Sequence, residues 1–81
     1  MLNLSVQTKL KPEEVTMRAV KFFAEGRGMK VVDQSSTCAR FEGSGGHVEL
    51  TSCTNPKGTE VNLVTQEWEI QVKQFAATLQ R

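Results

Sequence analysis

The side chains best able to do chemistry in this chain are His47, Cys38 and Cys53, with Glu42 and Glu49 close by. A histidine and two thiols suggest zinc first. Phe41, Ala39, Val48 and Leu50 alternate with these residues, so two strands are expected here. Cys38, Arg40, Glu42, His47, Glu49, Thr51 and Cys53 then share one polar face. His47 and Cys53 would stand ~20 Å apart along a single strand. Zinc holds its ligands at about 2.0–2.3 Å, so these residues cannot share an ion.

The two cysteines lack the Cys-x-x-Cys spacing and the helix N-terminus that lower a thiol pKa, which favours plain strand cysteines over a redox pair. Glu42, His47 and Glu49 could form an acid–base cluster. A lone histidine among carboxylates beside a turn is more often a solvated surface group, and no serine or cysteine is positioned by the sequence as its nucleophile. Gly43-Ser-Gly-Gly46 has the letters of the Gly-x-x-Gly loop of KH domains. That loop joins two helices, whereas here it joins two strands. Gly26-Arg-Gly28 lacks the strand-loop-helix context of a phosphate cradle. No catalytic, metal or phosphate signature stands out, and no cofactor is called for.

These residues depend on the elements that position them. Leu2, Leu4 and Val6 alternate with Asn3, Ser5 and Gln7, which predicts a half-buried strand. Pro12 opens a helix with Glu13 and Glu14 in its first turn, although Lys11 is a poor cap. Val15, Ala19, Phe22 and Phe23 form the buried stripe, and Gly26 and Gly28 should end the helix near Glu25. Met29 to Asp33 reads as a strand ended by Asp33-Gln-Ser-Ser36. Thr37 to Gly43 and Gly46 to Cys53 form a hairpin, and Thr59 to about Thr65 a last strand after Thr54-Asn-Pro-Lys-Gly58. Trp68, Val72, Phe75, Ala76 and Leu79 then lie on one face of a terminal helix. Trp68, Ile70 and Val72 also alternate, so the last strand has a competing, longer reading. Two hairpin registers compete as well. A Gly45-Gly46 turn sets the cysteines opposite each other and Glu42 against Glu49. A Ser44-Gly45 turn pairs Arg40 with Glu49 and Glu42 with His47. Cross-strand charge favours the second register and turn chemistry the first; charge is given the greater weight.

The order is therefore β-α-β-β-β-β-α: an α+β fold with a single antiparallel sheet of about five strands and both helices on one face. All 81 residues form one domain, which is near the lower size limit for a self-sufficient core. This order resembles one repeat of the TATA-binding protein and the larger START-type helix-grip proteins. Within the chain, Thr59-Glu-Val-Asn-Leu-Val-Thr-Gln-Glu-Trp-Glu-Ile-Gln-Val-Lys-Gln-Phe is similar to that group's last strand and long C-terminal helix. The resemblance implies a ligand held between helix and sheet, and it carries over no active-site residue. Lys73-Gln-Phe-Ala-Ala-Thr-Leu79 resembles the last helix of double-stranded-RNA-binding domains. Those domains place basic residues at that helix's start, where this chain has Glu67 and Glu69.

Composition narrows the function classes. Ten basic and nine acidic residues give a formal charge of +1, without the basic excess of a nucleic-acid binder. Lys9, Lys30 and Arg40 are offset on the polar face by Glu42, Glu49 and Glu60, so no nucleic-acid partner is expected. No segment reads as a signal peptide or a membrane span, and two cysteines do not make a disulfide scaffold. The expected setting is the cytoplasm, with no membrane partner. The functional expectation is a non-enzymatic binding or interaction module; its more specific version has a small apolar ligand contacting Trp68, Val72, Phe75, Phe41 and Leu63, against which a simply filled core around Trp68 is the favoured alternative. The alternatives are a small enzyme using Glu42, His47 and Glu49, and an RNA-binding module. Met17, Val32, Val64 and Ile70 fall outside the buried stripes, which leaves a homodimer open.

Overall fold

The alternation at the start of the chain forms β1 (Leu2–Thr8), with Val6 and Thr8 buried and Asn3, Ser5 and Gln7 exposed. The computed structural model describes residues 2–43 and 45–79. Helix α1 (Pro12–Ala19) starts with proline in its first turn beside Glu13 and Glu14, and the Lys11 side chain makes no capping bond. The helix continues as a π-helical segment, Val20–Glu25. The burial pattern accounts for this widening. Val15, Ala19 and Phe23 are fully buried at steps of four, whereas an α-helix turns in 3.6 residues and would swing each further off the sheet. A wider turn keeps Phe23 facing inward and leaves Phe22 at the side, half-buried rather than in the core stripe. Gly28, at φ +72°, ends the helix. Its N–H donates to the Ala24 carbonyl at 3.1 Å, and that of Met29 donates to Phe23 at 3.0 Å. Only a residue without Cβ takes this left-handed conformation freely.

The remaining strands are β2 (Lys30–Gln34), β3 (Cys38–Gly43), β4 (Gly46–Asn55) and β5 (Gly58–Gln66), followed by α2 (Glu69–Leu79). They form one five-stranded sheet in the order β1-β5-β4-β3-β2, antiparallel throughout. The hairpin register is the one that cross-strand charge favoured. Arg40 pairs with Glu49, Glu42 with His47 and Gly43 with Gly46, so the cysteines are diagonal. Ser44, the other residue of that turn, lies outside the described residues. Ser35 Oγ accepts the N–H of Cys38 at 3.2 Å, closing the turn before β3. Asn55 Oδ1 accepts that of Lys57 at 3.0 Å before β5.

One face of the sheet carries the core, with Phe41, Val48, Leu50, Val61 and Leu63 turned toward the helices. Val15, Phe23, Val72, Phe75 and Leu79 meet them from α1 and α2. Phe23 stands 5.4 Å from Phe41 and 5.3 Å from Phe75, ring centre to ring centre. Each such side chain contributes about 1.5–3 kcal/mol on full burial. Ser52 also faces this core, and its buried hydroxyl has no partner.

Trp68 requires a correction to the expected helix stripe: it precedes α2. Glu67 adopts φ +75°, which breaks the direction of β5 and delays the helix to Glu69. This also settles the competing longer strand, because β5 stops at Gln66. Met17, Val32 and Ile70 are exposed, and Val64 is half-buried on the uncovered face. Among the described residues, no helix is long and apolar enough to cross a membrane.

Candidate functional site

The residues expected to meet a ligand are mostly closed into the core. Phe41, Leu63 and Val72 have no exposure and Phe75 only 1%. Trp68 is half-buried, and its Nε1–H donates to the Gly43 carbonyl at 3.0 Å. The indole thus ties the start of α2 to the β3–β4 hairpin. Gly46 makes this approach feasible. A Cβ there would collide with the Gln66 carbonyl oxygen and lie 2.7 Å from Glu67 Cβ and 2.9 Å from Trp68 Cδ1.

Phe75 has a second role. It lines a groove of about 270 Å³ between the two helices, together with Phe22, Arg18, Lys21 and Thr78. The rings of Phe22 and Phe75 are 5.5 Å apart and make an aromatic floor. Arg18 and Lys21 stand on the α1 side. The Arg27 guanidinium is stacked 4.5 Å above the Phe22 ring, within the range of a cation–π contact. On α2, Gln71, Phe75 and Thr78 are spaced to share the facing side, which therefore carries no carboxylate. Among the described residues the ion pairs are those of Arg40, so Arg18, Lys21 and Arg27 have no carboxylate bound to them. The groove thus combines an apolar floor with cations that form no ion pair among the described residues, Glu14 and Glu25 being four residues from Arg18 and Lys21 along the helix. Phe22 was hidden in the sequence because it sits beside Phe23 in what reads as one stripe. The π-helical turn separates the two.

The uncovered face of the sheet has different chemistry. Its central rows are Lys30–Glu42–His47–Gln66 and Asp33–Arg40–Glu49–Val64, read across β2, β3, β4 and β5. Arg40 Nη1 donates to Glu49 Oε1 at 2.8 Å, and Arg40 Nε lies 3.6 Å from Glu42 Oε2. These side chains are 42–51% exposed, so such pairs contribute at most about 1 kcal/mol each. A shallow hollow of about 470 Å³ opens beside His47, walled by Lys30, Arg40 and Glu42 around the hairpin glycines. Both carboxylates of the expected acid–base cluster lie within ion-pair range of one guanidinium, which leaves a net negative charge beside His47. Thr65 Oγ1 donates to the His47 carbonyl at 2.7 Å and fixes the strand beneath it.

Cys38 is half-buried with Sγ 3.1 Å from Ser35 Oγ, Cys53 is exposed, and both thiols are free. Among the described residues no group of three or more histidine, cysteine or acidic side chains is placed to hold a metal ion. Neither protein-family models nor curated proteins give a match to this chain.

Proposed function

We propose that this chain is a non-enzymatic binding module for a small amphipathic anion, an aliphatic or aromatic body ending in a carboxylate. Its site is the groove between α1 and α2. The observation that carries this reading is the half-buried Phe22 ring, backed by the buried Phe75 and edged by Arg18 and Lys21, which form no ion pair among the described residues. Apolar hollows with a few convergent polar groups are where small molecules bind. A reducing cytoplasm suits the two free thiols.

Titration with decanoate and with 3-phenylpropionate, followed by amide chemical shifts, tests the proposal. The amides of Phe22, Phe75 and Thr78 should move. Trp68 emission should stay constant, because the groove lies roughly 10–15 Å further along α2. The double variant Arg18→Glu with Lys21→Glu should weaken carboxylate binding several-fold while leaving decanol binding unchanged, an exposed charge contact being worth up to about 1 kcal/mol. Absence of shifts, or shifts centred on Trp68, would defeat this reading.

A second reading is supported by the hollow beside His47. It keeps Glu42, His47 and Glu49 as the working surface of a small enzyme. In the same titrations, shifts gathered around His47 and abolished by His47→Gln would favour it.

A further inference from the structure

We infer that β1 is an assembly edge at which two copies of the chain pair antiparallel, β1 to β1, about a two-fold axis through Ser5. The result is a ten-stranded sheet with four helices on one face. Three observations carry this.

Among the described residues the outer side of β1 has no neighbour in the sheet order, while its inner side pairs with β5 without interruption from Leu2 to Thr8. An unpaired edge presents a row of main-chain donors and acceptors that can template a further strand. Proteins usually block such edges with charge, proline, bulges or shortness. The opposite edge has these defences: β2 is five residues long, is bulged between Val31 and Asp33, and carries Lys30 and Asp33. Strand β1 has none, because Leu2-Asn-Leu-Ser-Val-Gln-Thr8 contains no charge, proline, glycine or register shift.

The occupant is indicated by the sequence of the strand. Pairing about Ser5 sets Leu4 against Val6, Asn3 against Gln7 and Leu2 against Thr8, with Ser5 against its own copy. Opposite residues in an antiparallel pair share a face. Leu4 therefore meets Val6 and Leu2 meets Thr8 on the helix side, while the polar residues Asn3, Ser5 and Gln7 share the other, where the Gln7 amide is already bonded to Asn55. A two-fold interface requires this self-complementarity. The edge is also physically clear. Gln7 reaches inward across β5 and exchanges two 3.1 Å hydrogen bonds with Asn55.

Exposure and charge agree with the pairing. Leu2 and Leu4 are only half-buried although they face the core side, whereas Val6 and Thr8 are buried. A second sheet would extend the apolar layer beside them. The nearest cations, Lys9 and its copy, would be separated by roughly 27 Å along the paired strands, well beyond the ~8 Å screening length at physiological salt. Roughly six to eight main-chain hydrogen bonds would form across the axis. A contact this narrow lies at the small end of specific interfaces, so the dimer should populate at roughly 10–100 µM and not at nanomolar concentration.

Sedimentation equilibrium of the full chain tests the assignment. The wild-type mass should rise from the monomer toward twice that value across this range. Ser5→Lys places two like charges opposite each other at the axis, and the chain should then stay monomeric at every concentration. Val32→Lys, on the already blocked β2 edge, should dimerise like the wild type. A second measurement needs no variant: the outward amides of β1 should exchange more slowly at high concentration than at low. A wild-type chain monomeric throughout, or exchange in β1 that does not vary with concentration, overturns the inference. A dimer that persists in folded Ser5→Lys does the same.

Discussion

The start of α2 and the seam between α1 and α2 are two places where an aromatic side chain meets the margin of the core, and they are resolved in opposite ways. At the first, Trp68 lies over a glycine and spends its one polar atom on the Gly43 carbonyl. At the second, Phe22 contacts Phe23 and Phe75 at 5.0 and 5.5 Å, has no polar atom to satisfy, and stays half-buried under a stacked arginine. A large side chain with a hydrogen-bonding handle can be locked in place. One without a handle leaves a margin that packing alone does not close. The locked place is structural, and the open one is the groove proposed to take a ligand.

Three substitutions test this contrast. Trp68→Ala removes a large half-buried ring and leaves the Gly43 carbonyl without its donor. It should cost about 3 kcal/mol, lowering the melting temperature by roughly 12–24 °C in calorimetry for a domain of this size. Gly46→Ala introduces the Cβ for which there is no room beside Gln66, Glu67 and Trp68. Overpacking of this kind should cost about 2 kcal/mol, measurable as a lower urea midpoint. Phe22→Ala should cost least, about 1 kcal/mol in the same assay, because its ring is only partly buried. The ordering matters most. If Phe22→Ala destabilised more than Trp68→Ala, the seam would be the structural lock and the contrast would reverse. Decanoate binding should also be lost with Phe22→Ala and kept with Trp68→Ala wherever the latter is folded.

Much of this architecture is local, and it can be read from residue order. Alternation marks β1, and the hairpin register is the one in which the charges of Arg40, Glu42, His47 and Glu49 are paired across the strands, with Arg40 and Glu49 in contact at 2.8 Å. Where two periods fit one segment, local pattern fails. Trp68, Ile70 and Val72 satisfy both strand and helix spacing, and the backbone turn at Glu67 decides between them. The π-helical segment is hidden for a related reason: Phe22 and Phe23 are both apolar, so the pattern does not say which one faces the sheet. The groove depends on α2 lying beside α1, and the edge position of β1 depends on a pairing with distant β5. Neither relation leaves a trace in any short window of sequence. Ser52 facing the core is a further departure, a polar residue at a position where alternation calls for an apolar one.

The position of β1 also matters to the order in which the chain folds. β2, β3, β4 and β5 join through short turns, so each strand finds its neighbour by closing a small loop. β1 meets β5 only across about fifty intervening residues, and long loops delay the contacts they close. The four-strand meander is therefore expected to assemble first, with β1 arriving last to complete the sheet. Until then the margin is β5 itself, whose Val61 and Leu63 belong to the finished core. In that order of assembly the outer edge of β5 would stay bare until β1 paired with it, so the rate of β1 docking would set how long that edge is exposed.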